Sequence, residues 1–122
     1  AHTLILQPQT KADLLRRWLC ANGYRFLSET LVRDKEQLYV VFRVAAGMGQ
    51  ELSEADALTG ILLREDPLYG EYLSLHLTKL KRARDGLAAS SLADKDARIA
   101  HLTKLIEELE RRKGEWEHGN GT

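Results

Sequence analysis

Four groups of side chains in this 122-residue sequence are of types that do chemistry. The first is a pair of amides, Gln7 and Gln9, which flank Pro8 directly after the apolar run Leu4-Ile5-Leu6. In an open sheet, ligands sit outside the C-terminal ends of parallel strands, and a strand that stops at Gln7-Pro8 puts both amides at such an end. Their plainer use is to satisfy loop backbone. The second group is Arg16 with Arg17, able to meet a phosphate, pair with a carboxylate or stay solvated, with solvation the better fit for Arg17. The third is the basic stretch Lys79, Lys81, Arg82 and Arg84. It is less compensated than Lys104, Arg111, Arg112 and Lys113, among which Glu107, Glu108, Glu110, Glu115 and Glu117 interleave at helical pair spacing. The fourth is sulfur and imidazole. Cys20 has no histidine or basic neighbour to activate it, and His2, His76, His101 and His118 are too dispersed for a metal site even if His76 and His101 face each other across two helices. No serine stands in a strand-turn-helix elbow. The sequence therefore nominates no catalytic residue and no metal ligand.

The elements that must position these groups follow from periodicity. Thr3 to Leu6 reads as a strand buried on both faces, which needs neighbours and so suggests a missing upstream part. Thr10 can cap a helix from about Lys11 to Ala21, with Leu14, Leu15, Trp18 and Leu19 as its apolar face, the two arginines on the flank and Asn22-Gly23 as the stop. Trp18 then packs in the core and Tyr39 is a strand residue. Tyr24–Val32 and Leu38–Ala45 predict a hairpin turning at Arg33 to Glu36. A flexible Ala46-Gly47-Met48-Gly49-Gln50 follows, then a Ser53-x-x-Asp56 start for a short helix, and an irregular apolar piece between Gly60 and Pro67. From Tyr69 the pattern is helical. Leu73, Leu77, Leu80, Ala83 and Leu87 form one seam, weakened near its end by Gly86, which costs about 1 kcal/mol relative to Ala. A second helix, capped by Ser91 with Asp94, carries Ile99, Leu102, Ile106, Leu109 and Trp116, so the two should fold back at about 88–93 as an antiparallel hairpin or coiled coil. The expected organisation is α+β: residues 1–50 as the end of a mixed sheet, 51–68 as a linker, 69–118 as the helical hairpin and 119–122 as a frayed tail.

Composition narrows the class. Eighteen basic and eighteen acidic residues cancel, so any positive footprint must be local, and 43% hydrophobic with 30% charged residues is ordinary globular material. No run approaches the roughly 20 apolar residues of a membrane span. One cysteine excludes an internal disulfide and fits a reducing, cytoplasmic setting.

Several of these segments carry a resemblance. Leu4-Ile5-Leu6-Gln7-Pro8, Leu15-Arg16-Arg17-Trp18-Leu19, Gly23-Tyr24, the strand Leu38-Tyr39-Val40-Val41, Thr59-Gly60-Ile61-Leu62-Leu63-Arg64-Glu65 and Glu71-Tyr72-Leu73 resemble the C-terminal part of the bacterial tRNA (adenine(22)-N1)-methyltransferases. The sequence departs from that pattern where Gln9 replaces an Asn, Val40 a Glu, and Thr59-Gly60 a Gly-Pro.

The resemblance implies a class I, Rossmann-like methyltransferase using S-adenosylmethionine, of which this chain would supply the fifth strand, last crossover helix, antiparallel sixth and seventh strands and the helical domain. The cofactor half would lie outside it, since no Gly-rich turn follows a strand, and Gly47-Met48-Gly49 follows a hairpin instead. The segment alone is then expected to be inactive, to bind no S-adenosylmethionine and to show an apolar surface on its first part. Under the same resemblance Gln7, Pro8, Gln9 and Arg16 would meet the substrate, the amides reading an adenine edge, while Lys79, Lys81, Arg82 and Arg84 would meet tRNA phosphates. A non-catalytic coiled-coil interaction module is the competing expectation, with self-association through a sheet edge or the helices and no membrane partner.

Overall fold

A computed structural model describes residues 3–120. The elements are β1 (Thr3–Leu6), α1 (Ala12–Ala21), β2 (Tyr24–Asp34), β3 (Gln37–Ala46), α2 (Glu54–Thr59), α3 (Tyr69–Ala88) and α4 (Lys95–Asn120). They form two compact units that divide between Tyr69 and Gly70.

In the first unit the strands lie in the order β1-β3-β2, and β3 is antiparallel to both neighbours. β1 and β2 therefore run parallel, joined over one face by α1, which is the crossover the element order predicts. The β2–β3 hairpin is longer than the sequence suggests. Asp34 pairs with Gln37, and Lys35 in the two-residue turn takes a left-handed φ of 59°. The register slips between Phe26 and Ser28, so Leu27 is an extra residue and the alternation of β2 changes phase there. Phe26, Glu29 and Leu31 consequently share the face of Phe42, Val44 and Val40. That face is the core, with Phe26 edge-on to Phe42 at 5.3 Å and Leu19 of α1 sealed against it.

Three sequence expectations change here. β1 is not buried on both faces: it is an edge strand with Leu4 44% and Ile5 72% exposed. Thr10 does not cap α1, because Lys11 occupies the cap position with a left-handed φ of 56° and no side-chain cap bond forms. Nor do Leu14, Leu15, Trp18 and Leu19 make one inward face. Leu19 is buried and Leu15 half-buried, while Leu14 and Trp18 are more than half exposed, Trp18 stacking on Tyr24 at 6.2 Å. The helix is turned so that Arg16 points inward.

α2 begins as predicted. Ser53 accepts from the Asp56 amide at 3.1 Å and the Asp56 carboxylate accepts from the Ser53 amide at 3.1 Å, a closed capping box. Gly60 then turns the chain with a φ of 83°, and a Cβ there would lie 2.7 Å from a Glu29 carboxylate oxygen. Asp66 fastens the irregular piece that follows: its carboxylate accepts from the Leu31 amide at 2.8 Å and the Leu68 amide at 2.9 Å. The first of these bonds covers an otherwise open donor on the edge strand β2.

In the second unit α3 and α4 run antiparallel. Gly70 lies against the Trp116 ring, Lys81 meets Glu110 at 3.4 Å and Arg84 meets Thr103 at 3.4 Å, so the pairing advances along one helix as it retreats along the other. Leu73, Leu77, Leu105, Ile106 and Leu109 are buried, with Leu105 an addition to the expected seam. Ser91 does not cap α4: the helix starts at Lys95, after Asp94, whose carbonyl accepts from the Arg98 amide at 3.1 Å. α4 also continues through Gly119 to Asn120, past the expected start of the tail, and the remaining two tail residues lie outside the described ones.

Candidate functional site

Gln7, Pro8 and Gln9 leave the end of β1 and reach Lys11, whose left-handed backbone starts α1. Gln7 and Gln9 are exposed and Pro8 half-buried. Among the described residues neither glutamine makes a hydrogen bond, so the amides do not satisfy loop backbone. Each offers a free carbonyl and a free NH2, the complement of a nucleobase edge.

Arg16 does something else. Its side chain is 1% exposed, and its Nε donates to Glu29 Oε1 at 2.8 Å. Its Nη1 donates to the carbonyls of Ala57 at 2.8 Å and Leu58 at 3.0 Å, and its Cζ lies 5.0 Å above the Phe42 ring. Glu29 Oε2 in turn accepts from the amides of Ile61 and Leu62, both at 2.8 Å. The guanidinium thus satisfies carbonyls near the C-terminus of α2, where backbone acceptors lack helical partners, and the carboxylate satisfies donors just beyond Gly60. The substrate contact expected of Arg16 is replaced by this internal one: it does pair with a carboxylate, but with one on β2 of its own chain. Sequence reasoning missed Glu29 because plain alternation from Phe26 points it outward.

The glycines of the 46–50 loop are packing positions. A Cβ on Gly47 would lie 2.7 Å from the Arg25 Cδ, and one on Gly49 only 2.5 Å from the Cys20 carbonyl oxygen. Gly23 turns from a helix into a strand, the reverse of the order a nucleotide-cradling turn needs. Cys20 is half-buried, and burial raises its thiol pKa, with a hydrogen bond to the Gln50 backbone lowering it and the Glu29 charge raising it further. Such a thiol is a poor nucleophile at neutral pH. His76 packs edge-on against Tyr72 at 4.7 Å, and His101 is exposed beside Leu87, Ala97, Arg98 and Leu102; His2 lies outside the described residues. Among the described residues no three His, Cys, Asp or Glu side chains gather as metal ligands, and no helix is long and apolar enough to cross a membrane.

The basic helical residues fall into two sorts. On α4, Arg111 bridges Glu108 at 2.6 Å and also meets Glu115, and Arg112 meets Glu108 at 2.8 Å. Glu108 is held down to about 2, chiefly by the Arg111 hydrogen bond and then by that of Arg112, against the opposing effect of burial. On α3 the four residues are less committed. Lys79 and Arg82 are exposed and, among the described residues, without a hydrogen bond or ion pair, Lys81 has its long contact to Glu110, and Arg84 reaches a hydroxyl.

Comparison with known proteins decides the family. The sequence model for tRNA (adenine(22)-N(1))-methyltransferase, TrmK, matches residues 1–111, which spans both units. The chain belongs to the TrmK family. Nothing among the curated proteins matches it. Among solved structures, the Bacillus subtilis M1A22 tRNA methyltransferase TrmK superposes with a TM-score of 0.76 at 22% identity, covering 91% of this chain and 51% of its own. Sp1610 of Streptococcus pneumoniae, in complex with S-adenosyl-L-methionine, gives 0.70 at 24% over 91% and 47%. TrmK of M. capricolum, in complex with the cofactor product S-adenosyl-homocysteine, gives 0.67 at 15% over 92% and 49%. The chain spans about half the length of these structures, and its likeness to a protein of the NADB-Rossmann superfamily from Streptococcus agalactiae, with a TM-score of 0.72 at 26% identity over 91% of this chain and 47% of that one, gives the β1-β3-β2 sheet a Rossmann-like fold. Gly47 and Gly49 do not form an S-adenosylmethionine cradle, because the Arg25 side chain and the Cys20 backbone already fill the space beside them.

Proposed function

We propose that this chain is the C-terminal part of an S-adenosylmethionine-dependent tRNA methyltransferase that acts on N1 of adenine, at position 22 by family. The observation that carries the reading is the family match over residues 1–111, joined to the free amides of Gln7 and Gln9 just beyond the end of β1. Adenine N1 is already an unprotonated nucleophile at neutral pH, so the work left to the protein is orientation. The target base has to leave its stack and be held by its edge, and Gln7 and Gln9, stiffened by Pro8 between them, are the residues to do it. The cofactor belongs to residues outside this chain. The free edge of β1, with exposed Leu4 and Ile5, is where that half of the sheet would add. The helical hairpin, coiled-coil-like in its seam, assists tRNA binding through Lys79, Lys81, Arg82 and Arg84. The setting is the cytoplasm.

The test is methyl transfer to unmodified tRNA by the full-length protein, with the modified base located afterwards. A methyl group on N1 of A22 is expected, with none transferred and no S-adenosylmethionine bound by the 122-residue chain alone. Transfer by the chain alone, or modification of another atom, overturns the reading. Charge reversal of the four α3 residues should weaken tRNA binding and flatten its salt dependence. Self-association through the β1 edge or the helices competes for the same surfaces, and a concentration-dependent sedimentation coefficient of the full-length protein would favour it.

A further inference from the structure

The sheet face turned away from α1 carries two arginines whose charges no described residue of the first unit answers. Arg25 on β2 stands opposite Ala45, and Arg43 on β3 stands opposite Ser28. The slip at Leu27 places Arg25, Ser28 and Thr30 on the same face, so the two arginines are diagonal cross-strand neighbours, about 7–8 Å apart along the backbone and within reach of one ligand. Both are exposed, and neither makes a hydrogen bond or ion pair among the described residues. The acids of the hairpin are elsewhere: Glu29 is turned into the core, and Asp34 and Glu36 sit at the turn. Arg25 is also prepositioned, since its stem lies along Gly47 in the space a Cβ would take.

Two like charges side by side repel, and covering them with an apolar protein surface would strand both guanidiniums without partners. An anion with oxygens spaced along a chain removes both problems, and the Ser28 and Thr30 hydroxyls beside the arginines add neutral donors for it. We propose that Arg25 and Arg43 form a second phosphate-binding patch, on the sheet of the first unit, that grips the tRNA backbone independently of α3. The patch rests on the tRNA-methyltransferase reading and extends it: the first unit grips the tRNA backbone as well as the target base.

The experiment is equilibrium binding of an unmodified tRNA transcript to the full-length protein over a range of salt, for wild type, R25A/R43A, R25K/R43K and the α3 charge-reversal variant. R25A/R43A should bind about tenfold more weakly at low salt and lose about two from the slope of log K against log salt. R25K/R43K should retain that slope, because a phosphate contact needs charge more than shape. The melting temperature of R25A/R43A should match wild type, both residues being exposed. If R25A/R43A binds as wild type while the α3 variant is weakened, the patch is wrong and the tRNA reading stands. If wild type binds no tRNA, both fall. An unchanged slope with a lowered melting temperature also overturns the patch, showing that the face is covered by protein instead.

Discussion

Arg16 Nε lies 2.8 Å from Glu29 Oε1 with the two side chains 1% and 0% exposed, and every polar atom of the pair that is sealed from solvent has a partner. A buried pair of this kind is not by itself a gain over apolar residues, but it is costly to break from one side. Arg16→Met leaves the carboxylate without its counter-charge and the Ala57 and Leu58 carbonyls without a donor, and should cost about 3–5 kcal/mol. Arg16→Met combined with Glu29→Leu should cost less than the sum of the single variants. It should still fall below wild type, because the Ile61 and Leu62 amides lose their acceptor at about 1–3 kcal/mol each. Urea midpoints for the four proteins close the cycle; strict additivity would mean that the two side chains do not act as a pair.

The rotation of α1 separates neighbours that the sequence treats alike. Leu19 is 2% exposed and Trp18 55%. Leu19→Ala should therefore cost about 2–5 kcal/mol, as deletion of a sealed side chain does. Trp18→Ala, despite removing more atoms, should cost about 1 kcal/mol, mostly the stacking on Tyr24. Chemical denaturation of the 122-residue chain measures both, and a larger loss at Trp18 would put that residue back in the core.

What could be read from the sequence was whatever rested on local chemistry. The hairpin, the Ser53–Asp56 capping box and the two long helices each announce themselves within a few residues, and the structure keeps them within a residue or two at most ends. The misreadings at the site share one cause. Binary patterning assumes that inward residues are apolar, so it set Arg16 on a flank and gave the inward place to Trp18. An ion pair inside the core is visible only once both partners are located, and Glu29 is located by the extra residue at Leu27, which no composition rule marks. The same slip puts Arg25 beside Ser28, so the open basic face was hidden for the same reason. That the chain leaves β1 at Gln7-Pro8-Gln9 is legible because a strand end followed by Pro is a local signal. That the Gln7 and Gln9 amides are free is a fact about what surrounds them, and only the folded chain settles that.

Cys20 should label slowly. Burial raises its thiol pKa and the Glu29 carboxylate adds to the effect, so little thiolate forms at neutral pH. Alkylation of the native chain should be slower than that of a small exposed thiol and should keep rising with pH through the ordinary thiol range near about 8.5. A fast reaction that levels off below that range would mean an activated thiol and would reopen Cys20 as a nucleophile. The Gln50→Pro variant, which removes the amide at the neighbouring loop position, checks the opposing contribution: with that backbone donor gone, labelling should slow further.

On α4 the Glu108 carboxyl is held to about 2, below its ordinary 4.5, by hydrogen bonds from Arg111 and Arg112. A carboxyl with a depressed pKa binds its proton more weakly when folded, so the stabilisation is fully present above about 4.5 and fades as pH falls, being lost once the folded group protonates near about 2. The helical ellipticity and melting temperature of the chain should therefore drop across that interval. Glu108→Gln should lower the melting temperature at neutral pH and flatten its decline on acidification. Because the Arg111 side chain is 57% exposed and that of Glu108 32%, added salt should shrink the difference between the two proteins. The Arg98 and Asp94 pair, with both side chains more than half exposed, is the internal control. Asp94→Asn removes the carboxylate of that pair, and an equal flattening in both variants would assign the acid response to general charge and not to Glu108.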